Sequence, residues 1–581
     1  MRQQLAELRA AMKAQNIDAY LVGTTDFHGS EYVNHYFKCR EYLSGFTGSA
    51  GTLLVTADWA GLWTDGRYFI QAEAQLAGSG IELMREREPG IPTIEEYLQT
   101  NLPAGSCLGF DGRVMNCRSA EAYATKYSLR TDLDLAGDVW TGRPMLEASA
   151  IYGLPPEVTG ECSESKLARI RQAMREAGAD WHLITRLEDI AWIYNLRGND
   201  VKHTTVFYGF VIVDKEKDRL YVLDEAFQES CAARALPETT EILPYFQAFD
   251  DVKKLEAGKI LLDKSCVSYA MTAAIGDTVE ILDRQNPSEG MKAIKNDTEI
   301  ACTKRAHVKD GVAMVQFIRW IKEQMAAGAE LTEMDVVHSV ESFRKQQEGF
   351  CQISFDTIAG YGANGALPHY SVTAETDMQL RPEGFLLVDS GGQYTDGTTD
   401  ITRTIALGPL TEEMKKNYTL VLKGHIALAT AEFGEGTTGA ELDEKARRPL
   451  LEHGLNYNHG TGHGVGHLLS VHEGPNSISP RASASCILPG MITSNEPGVY
   501  LEGQYGIRLE NEILCVKAGE QIRRFEPLTW CPWEREAIVK EMMSTEEMVW
   551  VDQYHQMVYE TLAPCLDAET AGWLAAATAP L

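Results

Sequence analysis

Apolar and polar positions along this chain follow two different periods. In LAELRAAMKAQNIDAYLV, from Leu5, apolar residues recur at helical spacing, a short polar break follows, and the end reads as a strand. LARIRQAMREAGADWHLI, from Leu167, repeats that pattern at a constant offset of 162 residues, without a gap. Leu5/Leu167, Arg9/Arg171, Met12/Met174, Asp18/Asp180 and Leu21/Leu183 are identical pairs. Two unrelated amphipathic helices can look alike, but ungapped identities that each run into a strand favour two related α/β domains. The first copy continues through GTLLVTADWAGLWTDGRYFIQAEAQL as strand, turn, strand and helix. The second continues through FYGFVIVDKEKDRLYVL as a hairpin with a charged turn. The loop IYGLPPEVTGECSES separates the copies, and a second boundary falls at Asn286–Met291. Domains are therefore expected over 1–150, 151–290 and 291–581. In the third, TEIACTKRAHVKDGVAMVQFIRWIKEQM predicts a long helix. The aromatic, acidic tail after Trp530 also reads as helical.

With 581 residues the chain is too long for one hydrophobic core, which agrees with that division. Its formal net charge of -30, with no basic patch, argues against binding nucleic acid through the phosphates. No apolar run approaches the roughly 20 residues that span a bilayer. The amphipathic N-terminus lacks the apolar stretch of a signal peptide, so no membrane partner and a cytoplasmic location are expected. The 12 cysteines are scattered without a CxxC pair, as for reduced, mostly buried thiols.

The last third holds three polar or glycine-rich islands in apolar sequence. GFLLVDSGGQYTDGTTDITRTIAL predicts a strand, Phe385–Val388, ending on Asp389, then a turn with Asp396, then a strand carrying Asp400. Such a hairpin can set Asp389 and Asp400 side by side. An Asp in the turn is by default a cap, whereas a buried strand Asp needs a partner. NHGTGHGVGHLLSVHEGP places His459, His463, His467 and His472 within 14 residues, among glycines that permit close approach of backbone to a ligand. It lacks the Glu of the helical HExxH zinc motif and is too rich in glycine for a helix. Spacing alone singles out none of the four. SNEPGVYLEGQYGIRLENEILCV sets Glu496 at a turn before Pro-Gly. An alternating strand then carries Arg508, Glu510 and Glu512 on one polar face. Each island by itself also reads as an ordinary turn or solvated strand. Gathered in one core, however, their carboxylates would repel unless positive charge sat among them, and two divalent cations supply it.

Together these segments resemble aminopeptidase P, the Xaa-Pro aminopeptidase branch of the pita-bread metallopeptidases, in its long three-domain form. The resemblance runs over nearly the whole chain. It includes DAYLV, LSGFTGSAGT and WTDGRYFIQA in the first domain and DIAWIYNLRGNDV in the second. In the third it includes GANGALPHYS, VDSGGQYTDGTTDITRT, HGTGHGVGHLLSVHEGP and NEPGVYLEGQYGIRLEN. It implies an α/β and α+β architecture: two related creatinase-like α/β domains followed by a C-terminal pita-bread catalytic domain. It also implies a ligand set, with Asp389 chelating one metal, Asp400 and Glu510 bridging both, and His463 and Glu496 completing the second. Asp396, His467 and Glu512 fall outside that set. His369, in ALPHYS, matches a histidine near the scissile bond. His459 and His472 match two that contact substrate or stabilise the tetrahedral intermediate, and Arg508 matches an arginine that orients carboxylates. Asn495, where many relatives carry Asp, and Asn458 depart from the pattern at positions that are not ligands.

The activity implied is hydrolysis of the N-terminal Xaa-Pro bond of small peptides with proline in second place. The attacking group would be a hydroxide bridging two divalent cations, manganese first, with zinc or cobalt compatible with the same thiol-free donors. Glu496 would pass a proton to the leaving nitrogen. That nitrogen belongs to proline, a tertiary amide without N–H. The resemblance also implies a homodimer. Two other readings compete: a prolidase-type Xaa-Pro dipeptidase, which the three-domain length opposes, and a non-catalytic peptide- or histone-binding module, which the complete ligand set opposes.

Overall fold

The structure, a computed structural model, describes residues 2–481 and 486–581. The chain divides into two compact units, Met1–Pro156 with Glu161–Glu289 and Glu157–Gly160 with Gly290–Leu581.

The first unit contains two six-stranded mixed sheets with the same strand order. One runs Glu82–Arg85, Ala60–Thr64, Thr52–Thr56, Ala19–Val22, Cys107–Gly109, Ser128–Arg130. The other runs Thr240–Pro244, Asp218–Val222, Gly209–Val213, Trp181–Ile184, Gly258–Leu262, Val279–Asp283. In both, the first strand in sequence pairs antiparallel with the second and parallel with the fifth, and the outer pairings are parallel. The repeat seen in the sequence opens each sheet. Its helices span Gln3–Ala14 and Ser163–Ala177. They bury Leu5, Leu8 and Met12 in one copy and Leu167, Ile170 and Met174 at the matching positions of the other. The polar break is also matched. Asn16 (φ 55°) and Gly178 (φ 71°) take the left-handed conformation that ends a helix, the two residue types that do so at least cost.

The second unit opens with the long helix, Asp297–Ala326. The Asn296 side chain caps it by accepting from the Thr298 and Glu299 amides, and the Glu299 carboxylate accepts from the Asn296 amide in return. Such a box contributes on the order of 1 kcal/mol. Strand Phe385–Ser390, buried along its length, lies between Ile358–Tyr361 and Ile401–Ala406, antiparallel to both. On one face Leu386, Val388, Ile401 and Ile405 pack with Met314, Phe317 and Ile318 of the long helix. The opposite face carries Asp389 and the threonines of Ile401–Ala406, as period-two alternation requires.

Two segments differ from their sequence reading. The stretch between Asp389 and Asp400 is more than a turn: Gly392–Tyr394 and Gly397–Thr398 pair with each other, and the former pairs with Phe350–Ile353. GIRLENEILCV is not one alternating strand. Tyr505–Arg508 pairs in a hairpin with Gly498–Leu501, while Asn511–Lys517 joins Ile492–Asn495 and Ile522–Pro527 in another sheet. Leu509 and Glu510 fall at the break, and Arg508, Glu510 and Glu512 are all buried rather than lining a solvated face. Different partners on either side of the break override the alternation. The tail is helical, at Thr545–Leu562 and Ala568–Ala577, and its Tyr554, Val558 and Leu574 enter a core with Tyr418, Leu420 and Trp533. Among the described residues no helix is long and apolar enough to cross a membrane.

Candidate metal centre

The antiparallel register sets Asp389 opposite Thr402, two residues after Asp400. This brings the two aspartates to one face at the end of the strand pair. Glu510 arrives from the break between the two later strands. Its amide donates to the Thr402 carbonyl at 3.2 Å, and the Thr402 hydroxyl donates to its Oε2 at 2.7 Å. His463 comes from the short strand Gly462–His463. Glu496 follows strand Ile492–Asn495, where the Ser494 hydroxyl donates to its Oε1 at 3.1 Å and accepts from the His463 amide at 3.0 Å.

Among the described residues three overlapping groups result: Asp389, Asp400 and Glu510; His463, Glu496 and Glu510; Asp400, His463 and His472. Within each, one potential ligand atom per residue lies within 4.8 Å of the others. Asp389, Asp400, His463, Glu496 and Glu510 are thus brought together, and His472 stands beside them with its ring edge-on to His463 at 4.4 Å.

Positive charge in this cluster is scarce. Arg508 donates from Nε and Nη2 to Asp389 Oδ2 at 3.2 and 2.5 Å, and from Nη1 to the Tyr500 hydroxyl at 2.6 Å. Asp389 Oδ1 is buried and has no hydrogen-bond partner among the described residues. Burial raises the Asp389, Glu496 and Glu510 carboxyls above the usual range. Arg508 opposes this at Asp389, His463 and Arg508 oppose it at Glu496, and the neighbouring carboxylates reinforce it at all three. Burial alone would depress the His463 imidazole, yet its hydrogen bond to Asp400 and the Glu496 and Asp400 charges push it up to about 10. A site that pulls a proton onto an imidazole and holds carboxyls towards neutrality is short of cations. An orphaned carboxylate oxygen, oxygen-rich donors and one imidazole fit hard divalent cations.

His459 is tied in through Tyr500: its Nε2 and the tyrosine hydroxyl are 2.8 Å apart, and its Nδ1 is 3.8 Å from Glu496 Oε2. His369 lies half-buried in the turn after the short helix Gly362–Ala366, outside the three groups. Asp396 pairs with Lys309 and Arg305, and His467 faces the Thr303 hydroxyl and the Val158 carbonyl. Glu512 accepts from the Asp400 amide at 2.8 Å and pairs with His307 at 3.2 Å. Sequence reasoning missed Thr402, Tyr500 and Ser494. Thr402 was within reach, since it shares a strand face with Asp400, but nothing local marks the other two.

A pair of α/β domains of one topology, followed by a unit with a carboxylate-rich cluster, is the architecture of a known class of metallopeptidase. Residues 4–144 and 142–299 each match the creatinase/prolidase N-terminal domain, 301–517 match metallopeptidase family M24, and 521–581 match the C-terminal region of peptidase M24. The fold is that of two creatinase-like domains followed by a pita-bread catalytic domain. A probable Xaa-Pro aminopeptidase P from Laccaria bicolor is 36% identical over 100% of this chain and 93% of its own length. X-prolyl aminopeptidase from Caenorhabditis elegans, described as a cytosolic enzyme with a di-nuclear active site, has a TM-score of 0.95 at 31% identity, covering 100% of this chain and 99% of its own. The Xaa-Pro dipeptidase of Bacillus anthracis (TM-score 0.51, 26% identity) covers only 64% of this chain, although 99% of its own is matched. The chain belongs to the aminopeptidase P family of M24 metallopeptidases.

Proposed function

We infer that this chain is a metal-dependent aminopeptidase that hydrolyses the N-terminal Xaa-Pro bond of small peptides. The observation that carries the reading is the gathering of Asp389, Asp400, His463, Glu496 and Glu510 into one buried, cation-poor cluster, in a chain similar over its full length to aminopeptidases P. Asp389 would hold one cation, His463 and Glu496 the other, and Asp400 and Glu510 both. Manganese is the first choice, and zinc or cobalt suits the same donors. When bound, two such cations acidify a water and polarise the scissile carbonyl.

The chain's own residues do the rest. Arg508 engages Asp389 Oδ2, and Oδ1 accepts no hydrogen bond among the described residues. Thr402 and Ser494 orient Glu510 and Glu496. Glu496 moves a proton to the leaving proline nitrogen. His459, held by Tyr500, and His472, against His463, face substrate and the developing oxyanion, joined by His369. The domains divide as 1–150, 151–290 and 291–581, and the enzyme works as a cytoplasmic homodimer. A prolidase-type dipeptidase is the second reading, and the 64% coverage of this chain by the dipeptidase above counts against it.

A manganese-loaded sample should release arginine from Arg-Pro-Pro, leave Arg-Ala-Ala largely intact, and contain about two metal equivalents per chain, as a two-metal hydrolase requires. Cleavage of Arg-Ala-Ala with Arg-Pro-Pro intact would remove the proline assignment. Activity confined to the dipeptide Arg-Pro would favour the second reading.

A further inference from the structure

Arg403 lies between Thr402 and Thr404 in strand Ile401–Ala406, so its side chain leaves on the face opposite to Asp400 and Thr402. It is 2% exposed. Among the described residues no carboxylate pairs with it, and it is held almost wholly by carbonyls. Nε donates to the Pro532 carbonyl at 3.1 Å, and Nη2 donates to the Cys531 carbonyl at 2.7 Å, Asn511 Oδ1 at 2.9 Å and the Tyr554 hydroxyl at 3.3 Å. Nη1 donates to the carbonyls of Thr402 at 3.0 Å and Glu510 at 2.6 Å. The Trp533 ring closes the remaining side, 3.8 Å from the guanidinium carbon. Cys531, Pro532, Trp533 and Tyr554 all belong to the segment matched by the C-terminal region, 521–581.

Burying a guanidinium without a carboxylate is costly, and an apolar residue would pack there more cheaply. What the arrangement gains is specific to its place. The guanidinium bonds the backbone of Glu510 at the crossing where Glu510 also meets Thr402. It also puts a fixed positive charge behind the carboxylate cluster. We propose that the C-terminal region serves to hold Arg403, and that Arg403 is a positioning residue that fixes Asp400 and Glu510 in the geometry in which they take up metal. This rests on the metal reading given above.

The test is calorimetric titration of manganese into the metal-stripped full chain, with thermal unfolding measured alongside. Arg403→Lys keeps the charge and loses the fork. It should weaken manganese binding by about tenfold or more, the scale of losing a partner behind a ligand. Arg403→Met should weaken it further. Tyr554→Phe, which removes one hydroxyl and preserves the ring, should weaken it in the same direction by less. A purely structural role would lower the unfolding temperature and leave affinity alone. Manganese affinity within about twofold of the parent in Arg403→Lys and Tyr554→Phe overturns the proposal. If the Arg403 variants do not fold, Tyr554→Phe decides on its own. A parent chain that takes up no manganese overturns the metal reading as well, and the two failures are thereby told apart.

Discussion

Asp310 and Asp389 are both buried carboxylates of the second unit, and their surroundings differ in kind. Asp310 receives Arg344 Nε on Oδ1 at 2.7 Å and Nη2 on Oδ2 at 3.1 Å, with the Tyr394 hydroxyl at 2.9 Å. Burial works against its charge, but Arg344 and Tyr394 outweigh burial and hold the carboxyl below its usual range. Asp389 shares one guanidinium with a cluster of three further carboxylates, and one of its oxygens has no partner among the described residues. Its carboxyl is pushed up by burial, against Arg508. In the same low-dielectric interior, one carboxylate is neutralised by the protein and the other is left for something from outside. Buried acid alone does not mark a metal site; several buried acids gathered with too little positive charge point to one.

The largest effect should come from the open set. Glu510→Ala should reduce kcat by at least about 10²–10³-fold, the scale of losing one preorganised charge-stabilising group, and lower the metal content while circular dichroism stays unchanged. Full activity in that variant would erase the contrast. The closed pair should respond through stability. Arg344→Met leaves Asp310 buried without its cation, with the Tyr394 hydroxyl as its remaining donor, which costs about 3–5 kcal/mol in urea unfolding, with metal stoichiometry retained in the folded protein. Loss of metal without loss of stability would show that the pair belongs to the site.

A third arrangement, neutrality by burial, is found at His182, fully buried on strand Trp181–Ile184 with its Nδ1 2.9 Å from the Leu261 carbonyl. Burial lowers its pKa to about 4, with the Leu261 carbonyl opposing. Because the folded value lies below the unfolded one near 6.5, the unfolded chain takes the proton first. Stability is then full above pH 6.5 and is lost as pH falls from there towards the folded value. Between pH 7 and 5 the loss assigned to this group is about 2 kcal/mol, and His182→Gln should flatten that part of the pH profile. The smallest effect belongs to Asp396, an aspartate of the same hairpin that pairs with Lys309 and Arg305. Asp396→Asn should cost no more than about 1 kcal/mol and leave metal content and kcat unchanged. A drop in metal content there would put Asp396 among the ligands.

What could be read from the chain follows the range of the interactions. The repeat was legible because Leu5, Leu8, Met12 and their counterparts at the same offset obey a local period, and the helix break at Asn16 and Gly178 is local chemistry. The Asp389–Asp400 hairpin was legible for the same reason. The choice of ligands among four histidines and several acids was not. It depends on which residues meet across long sequence separations, and only resemblance supplied it. The segment from Gly506 to Val516 reads as one strand in the sequence, but its two halves answer to different partners. Arg403 gave no signal, since a lone arginine in a strand becomes meaningful only when carbonyls more than a hundred residues away close around it.

The five side chains of the cluster are strung from Asp389 to Glu510, and Asn511, Cys531, Pro532, Trp533 and Tyr554, which hold Arg403, come later still. A ribosome reaches them last. A chain cut short between Asp400 and Glu496 holds both aspartates of the cluster and neither of its glutamates. The cluster is therefore complete only once synthesis has passed Glu510.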